Sequence, residues 1–204
     1  MPATELLSDP HQRQEQQEAN GTAADATTAD PTSTDYTNLM GANTPNSIAT
    51  KPQALALLND RIKALNTTDV DSYTEIKALA DAVEAVSVLA QSAASTTGTA
   101  TAGITAAQLT SLGVDVTATS LTAVSDAIRA DVGDLSSLNT TAKLTALVKA
   151  YNTILAYANG TATDPATIPT AADYAAINAD IGTAKTDTAA LARLNAIVGS
   201  ADSK

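Results

Sequence analysis

Residue types that catalyse reactions are scarce in this chain. His11 is the only histidine among the 204 residues, and there is no cysteine. A zinc site would need carboxylates alone, and the serines lack the histidine base of a nucleophilic triad. His11 stands between Pro10 and Gln12 in a polar segment, where an idle, solvent-exposed histidine is expected. We therefore expect no catalytic residue, no metal ligand set and no cofactor, and we predict that the chain is not an enzyme.

Two acidic clusters superficially suggest calcium binding. Asp69 and Asp71 are followed by Glu75, and Asp131 and Asp134 flank a glycine-containing turn. An EF-hand loop needs alternating ligands, a central glycine and a distant glutamate, and neither cluster has that pattern. Acidic residues are also favoured at helix N-termini by the helix dipole. The sequence thus favours a structural role for both clusters.

Other polar and glycine-containing positions also favour structural roles. Asp81 and Glu84 are expected on the solvated face of a helix. Gly98 and Gly103 flank threonine and alanine, whereas a phosphate-binding loop joins a strand to a helix and carries a lysine. We expect no phosphate site.

The five tyrosines are the only aromatic residues. Tyr36 and Tyr174 occupy equivalent positions in a repeated motif, so we expect them in the core with the hydroxyl reaching water. Tyr151 falls on an apolar stripe, and Tyr157, one turn further, is expected near a joint between repeats. A carbohydrate-binding aromatic platform is an alternative, but such a platform would be expected to contain tryptophan, which is absent.

Composition restricts the fold class and the partners. With no Phe or Trp, the apolar residues are mainly Ala, Leu, Val and Ile, which suit thin helical layers. The formal net charge of −11 argues against binding to nucleic acid or to an anionic membrane surface. No apolar run approaches the roughly 20 residues that span a bilayer. Met1 to Leu7 show no signal-peptide pattern.

An internal repeat organises the chain after residue 30. Residues 31–36, 104–109 and 169–174 resemble one another, at spacings of 73 and 65 positions. Each segment places a threonine where a helix N-cap would stand, and its hydroxyl can accept from a free backbone N–H. These threonines are Thr32, Thr105 and Thr170. Each copy therefore predicts a short first helix.

A second matching block predicts a second helix in each copy. Its three apolar residues have i, i+3, i+7 spacing, which places them on one helical face. The copies are offset by 66 and 70 positions, and their residues are Leu55, Leu58 and Ile62; Leu121, Val124 and Ile128; and Leu191, Leu194 and Val198.

The third block occurs twice, at an offset of 68, and predicts a longer amphipathic helix. Its two sets are Ile76, Leu79, Ala80, Val83 and Val86, and Leu144, Leu147, Val148, Tyr151 and Ile154. Ser72 and Glu75 form a capping-box pattern before the first set. Asn139-Thr140 supplies a cap for the second, and Gly160 suits a left-handed helix end.

We accordingly predict an all-α chain of tandem short three-helix modules. An acidic low-complexity tail, residues 1–30, is expected to be disordered or weakly helical. Repeat 1 covers residues 31–103, repeat 2 covers 104–168, and repeat 3, with two predicted helices, covers 169–204.

The apolar stripe of repeat 3 has no predicted third helix to cover it. Leu191, Leu194 and Val198 therefore form a candidate assembly surface. Three explanations stay open: the chain is divided within a repeat, the N-terminal segment of the same or another chain packs there, or packing continues from repeat to repeat rather than module by module.

The motif resembles repeats of very large bacterial adhesins and surface-layer-like proteins. The nearest stretch is Ile104 to Val114, Pro169 to Tyr174 is similar, and the resemblance covers roughly residues 31–204. It implies a stalk or spacer, often exported without a classical signal peptide, and an extracellular or cell-surface location. The calcium-binding nonapeptides of such proteins are absent from this sequence.

Three functions are thus carried forward. The first is a structural spacer of a surface adhesin, and the second is a self-assembling subunit of an extracellular filament or surface layer. The third is a module that binds a glycan or another protein. Self-association and contacts with neighbouring repeats are the expected partnerships, with no nucleic acid and no membrane insertion.

Overall fold

The computed structural model describes residues 30–92, 103–116, 121–130, 135–160, 168–177 and 179–200. Regular secondary structure in these residues is entirely helical, which confirms the all-α prediction for this part of the chain. The tail, residues 1–29, lies outside it. The α-helices are α1 (Ser33–Met40), α2 (Asn46–Thr50), α3 (Pro52–Lys63), α4 (Tyr73–Gln91), α5 (Ala106–Ser111), α6 (Leu121–Ala130), α7 (Thr141–Ala158), α8 (Ala171–Ala176) and α9 (Thr188–Ser200).

The short helices α1, α5 and α8 begin in the same way. Each predicted threonine is the N-cap, and the side chain three residues on in turn accepts a hydrogen bond from the threonine N–H. These return bonds measure 2.8 Å to Asp35, 2.9 Å to Gln108 and 2.7 Å to Asp173. Because a helix leaves its first N–H groups without internal partners, this reciprocal capping explains why helices as short as six residues start there.

The long helices α4 and α7 are also capped as the sequence predicts. The Ser72 hydroxyl accepts from the Glu75 N–H, and the Glu75 carboxylate accepts from the Ser72 N–H at 3.0 Å. Thr140 caps α7 by accepting from the Lys143 N–H. Gly160, with φ of 64°, takes the left-handed conformation just after α7.

Helix α2 is a feature that the repeat analysis did not foresee. From the first motif to the second, 19 positions separate Tyr36 from Leu55, but only 12 separate Leu109 from Leu121. Repeat 1 uses its extra residues to form α2, which packs on both α3 and α4. Repeat 3 has an intermediate connection and forms a 3-10 turn there, Gly182–Lys185.

Helix α2 also corrects the expectation for Glu84. The Glu84 carboxylate is half-buried and accepts from the Ser47 N–H at 2.7 Å and from the Ser47 hydroxyl. It therefore binds the first turn of α2 instead of facing solvent. Asp81 does lie at the surface, where it pairs with Lys77 at 2.6 Å.

The long helices pack beyond their own repeats. Helix α4 packs against α2 and α3 of repeat 1 and against α5 and α6 of repeat 2. Helix α7 packs against α6 of repeat 2 and against α8 and α9 of repeat 3. Each long helix therefore closes one repeat and forms part of the surface on which the next repeat packs.

The buried side chains follow this arrangement. One continuous hydrophobic cluster runs from Tyr36 in α1 to Val148 in α7, across repeats 1 and 2. Helix α4 is buried on more than one side, since Ala82 and Leu89 are as inaccessible as Ile76 and Val83. Alanine at such positions lets neighbouring helices approach closely, which partly offsets the small area that each side chain buries.

Polar groups of α3 tie repeat 1 to repeat 2. The Asp60 carboxylate accepts from the Thr141 N–H at 2.7 Å, at the start of α7. The Arg61 Nε donates to the Ser111 carbonyl, also at 2.7 Å, at the end of α5. Gly113, with φ of 77°, lets the guanidinium lie there, because a Cβ at this position would be 2.7 Å from the Arg61 Nη1. Burial lowers the pKa of Arg61, and the charge of Asp69 opposes that shift.

Because repeats 1 and 2 share a core, a substitution that destabilises repeat 1 should also destabilise repeat 2. Leu58→Ala should cost about 2–5 kcal/mol, because it removes a fully buried side chain. Hydrogen exchange should therefore accelerate in α7 as well as in α3. The matched variant is Leu194→Ala, at the equivalent position of repeat 3, which should accelerate exchange mainly in α9. Unchanged exchange in α7 of the Leu58→Ala protein would contradict a continuous core.

Candidate interaction surfaces

Acidic residues that could have bound calcium are used to cap helices. The Glu75 carboxylate accepts from the N–H groups of Asp71, at 3.1 Å, and Ser72. The Asp69 carboxylate accepts from the Asn66 N–H at 3.2 Å, which closes a capping box around a 3-10 turn. A side-chain hydrogen bond to Glu75 raises the pKa of Asp71. These carboxylates thus serve local backbone structure.

The described part of the chain contains no group of three or more His, Asp or Glu side chains placed to hold a metal ion. His11, Asp131, Asp134 and Gly98 lie outside the described residues.

Tyr36 forms a buried hydrogen-bonded chain that sequence reasoning missed. Its hydroxyl donates to the Asn59 Oδ1 at 2.7 Å, and the Asn59 Nδ2 donates to the Pro31 carbonyl at 2.9 Å. All three residues are buried. The expectation of a hydroxyl that reaches water was therefore wrong, because Asn59 supplies the partner that a buried hydroxyl requires.

Repeat 3 contains the same arrangement. Tyr174 donates to the Asn195 Oδ1 at 2.7 Å, and the Asn195 Nδ2 donates to the Pro169 carbonyl at 2.8 Å. We call each set of three residues a tyrosine–asparagine latch. It joins the first helix of a repeat to the second and to the residue that precedes the N-cap, so it sets the register of one helix against the other. Because Tyr36 and Tyr174 are buried, neither forms an exposed platform for a carbohydrate.

Repeat 2 replaces both side chains of the latch together. Leu109 stands at the tyrosine position and Ser125 at the asparagine position. The Ser125 hydroxyl donates to the Leu121 carbonyl of its own helix at 2.8 Å, so no polar group of the pair is left facing Leu109. The paired occurrence of Tyr with Asn and of Leu with Ser was the signal in the sequence that could have revealed the latch.

Removing the latch of repeat 3 should destabilise that repeat measurably. Asn195→Ala leaves the Tyr174 hydroxyl and the Pro169 carbonyl without their partner, which should cost about 1–3 kcal/mol. Tyr174→Phe should cost about 1 kcal/mol, and the double variant should cost less than the sum. Urea unfolding of the four proteins gives the coupling energy.

The control for the latch is Ser125→Ala in repeat 2. Because that hydroxyl bonds only its own helix, its loss should change stability by no more than about 0.5 kcal/mol. Strictly additive effects of Tyr174→Phe and Asn195→Ala would show that the two side chains do not act together.

The latch also predicts a loss of stability at high pH. Burial raises the pKa of Tyr174, and the nearby Tyr157 and Asp173 add to that shift. The folded state therefore favours the protonated hydroxyl, whose contribution is present below the ordinary tyrosine pKa of about 10 and is lost as the pH rises through the folded value. Above about pH 10 the free energy of unfolding should fall more steeply for the wild type than for Tyr174→Phe. Identical slopes in alkaline unfolding titrations would contradict this prediction.

A groove of about 420 Å³ lies beside α7 in repeat 2. It is lined by Gly113, Val114, Asp115, Thr145, Val148, Lys149, Asn152, Thr153 and Ala156. Asn152 is the repeat equivalent of Glu84, the residue that binds α2 in repeat 1. The corresponding side of α4 thus carries the extra helix α2, whereas repeat 2 has the shorter connection and leaves an open groove.

The predicted assembly residues lie on one side of α9. Leu191, Leu194 and Val198 are all half-buried. The counterparts of Leu194 and Val198 are better covered, since Leu58, Ile62, Val124 and Ile128 are completely buried, whereas Leu55 and Leu121 are half-buried like Leu191. Ile197, which the sequence analysis did not single out, is 68% exposed, although its counterpart in repeat 2, Ala127, is buried.

The difference follows from the neighbours of each helix. Helix α6 packs against both long helices, α4 and α7. Helix α9 packs against α7 and against the 3-10 turn Gly182–Lys185. On the α7 side, Gly199 allows close approach, because a Cβ there would lie 2.9 Å from the Tyr157 ring. Tyr157 thus packs between repeats 2 and 3, near the joint where it was expected.

In the described ranges, no helix combines the length and the apolar character needed to cross a membrane. The chain matches no protein-family model, and the comparisons found no similar curated protein and no similar solved structure.

Proposed function

We propose that this chain is a structural spacer built of tandem modules with a three-helix pattern, to which the first module adds α2, and that each long helix also supports the next module. The observation that carries the proposal is the double packing of α4 and α7, each against its own repeat and the following one. Such packing extends a chain in one direction, since every repeat provides the surface for the next. On this proposal the boundaries at residues 103 and 168 separate repeats of the sequence but not units of folding, because each long helix packs on both sides of a boundary.

The energetics of the described helices suit a mechanical role. Repeats of about 70 residues are near the lower limit for independent stability, and sharing a long helix lets neighbours supply the missing burial. The polar ties from Asp60 and Arg61 add direct bonds across the first joint. An excess of acidic over basic residues, 22 against 11, opposes lateral association between copies.

A location outside the cell is part of the same proposal. It rests on the resemblance of Ile104 to Val114 to repeats of large bacterial adhesins and surface-layer-like proteins. In that setting the chain would set the distance between a cell surface and a binding domain carried elsewhere.

One observation favours a second candidate, a self-assembling subunit of a filament or surface layer. The half-buried side of α9 and the exposed Ile197 form an apolar surface that a neighbouring chain could cover. A filament subunit would polymerise as its concentration rises, and deletion of residues 1–30 would abolish polymerisation if the tail supplies the covering segment. A spacer stays monomeric.

A duplication of repeat 2 separates these functions. A chain with a second copy of residues 104–168 inserted after Ile168 should stay monomeric in sedimentation equilibrium. Its maximum dimension in small-angle X-ray scattering should exceed that of the unmodified chain by about the length of one repeat, because repeats stack in one dimension. The control is the unmodified chain at the same concentrations.

A compact protein of 204 residues has a radius of gyration of about 17 Å, and that value rises only slowly with chain length. If the radius of gyration of the duplicated chain rises only as much as that of a compact protein of its length, the result would contradict the spacer. Concentration-dependent polymerisation would favour the filament.

A further inference from the structure

We infer that the uncovered side of α9 is a docking site for an amphipathic helix of the α7 type. The inference rests on the proposed function and names the partner of one surface. We call this surface the α9 stripe and define it as Leu191, Leu194, Ile197 and Val198. Its residues share one side of the helix by their i, i+3 and i+4 spacing.

Burial at equivalent positions shows what the α9 stripe lacks. In α6 the three positions are Val124, Ala127 and Ile128, and all of them are buried. In α9 they are Leu194, Ile197 and Val198, of which the first and last are half-buried and Ile197 is 68% exposed. Leu194 and Ile197 are larger and more apolar than Val124 and Ala127, and Val198 is only one methylene smaller than Ile128. The difference in burial therefore comes from the surroundings and not from the residue types.

Within the described part of the chain, the surroundings differ by one long helix. Helix α6 packs against the long helix of the preceding repeat, α4, and the long helix of its own repeat, α7. Helix α9 packs against the long helix of the preceding repeat, α7. A helix placed on the α9 stripe would complete the same pair of neighbours, and it would continue the apolar surface by which α9 already packs on Tyr157 of α7.

The α6–α7 pair is a better template for the occupant than the α3–α4 pair. Position 197 corresponds to Arg61 in α3, which binds the Ser111 carbonyl, and to the apolar Ala127 in α6. The occupant should therefore present apolar side chains at i, i+3 and i+4, as α7 does with Leu144, Leu147 and Val148. A second copy of the chain, stripe against stripe, is disfavoured because both partners carry a net charge of −11.

The test uses the full chain and a synthetic peptide of residues 139–160, which contains α7 with Thr140 and Gly160 at its ends. Hydrogen exchange of α9 is measured with increasing peptide. At a peptide concentration of about ten times the dissociation constant, amide exchange in α9 should slow roughly tenfold, because the ligand binds only the folded helix. A peptide with Leu147→Asp and Val148→Asp should give no slowing.

Two variants of the chain make the test specific. Ile197→Asp should abolish the slowing, and its fold should persist because this side chain is largely exposed. Ala192→Asp is the matched control: it places the same charge on an exposed residue of α9 outside the stripe, and its equivalent in repeat 2, Thr122, is exposed and polar. Ala192→Asp should bind the peptide as the wild type does, and circular dichroism checks that both variants are folded.

Three results would overturn the inference. The first is unchanged α9 exchange at the highest soluble peptide concentration, and the second is equal slowing in Ile197→Asp and the wild type. The third is concentration-dependent dimerisation of the chain that Ile197→Asp removes, which would assign the stripe to a second copy. If the peptide does not bind, the chain should still lengthen when repeat 2 is duplicated, provided that it is a spacer. The docking proposal and the spacer proposal can therefore be contradicted separately.

Discussion

Small apolar side chains must be covered from more than one side, and the described structure depends on this constraint. Without Phe or Trp, a single pair of helices buries little area, so the long helix α4 is covered by α2 and α3 on one side and by α5 and α6 on the other. One hydrophobic cluster consequently runs through repeats 1 and 2. Among the described helices, α9 packs on one long helix where α6 packs on two, and Ile197 of α9 is exposed.

Polar interactions specify how the helices fit, and they do so at few points. The two tyrosine–asparagine latches fix the first helix of a repeat against the second through bonds of 2.7–2.9 Å. Repeat 2 instead has Leu109 and Ser125 at these buried positions, and replacing both partners of the polar pair leaves neither side chain unsatisfied. The latch is therefore one of two interchangeable solutions, and replacing only one partner would be costly.

The functional inference rests on this architecture and not on a reactive site. In the described residues Glu75, which belongs to a cluster that resembles an ion site, caps a helix, and Glu84 binds a neighbouring helix. Two parts of the surface are less covered than their counterparts in other repeats. The first is the groove beside α7, whose counterpart in repeat 1 is covered by α2, and the second is the α9 stripe, whose counterpart in repeat 2 packs on a second long helix. Both follow from differences between the repeats in the length of a connection and in the number of helices.

The sequence by itself determined most of the described helices, and it located the starts of α1, α4, α5, α7 and α8, because capping side chains and apolar spacing act within a few residues. It did not indicate α2. It also identified Leu191, Leu194 and Val198 as one face of a helix. The tertiary structure alone decided that α4 and α7 serve two repeats each, that Asn59 and Asn195 are the partners of the tyrosines, and that Ile197 is exposed. These facts depend on contacts between residues more than 20 positions apart or on a missing neighbour, and spacing along one helix carries no information about either.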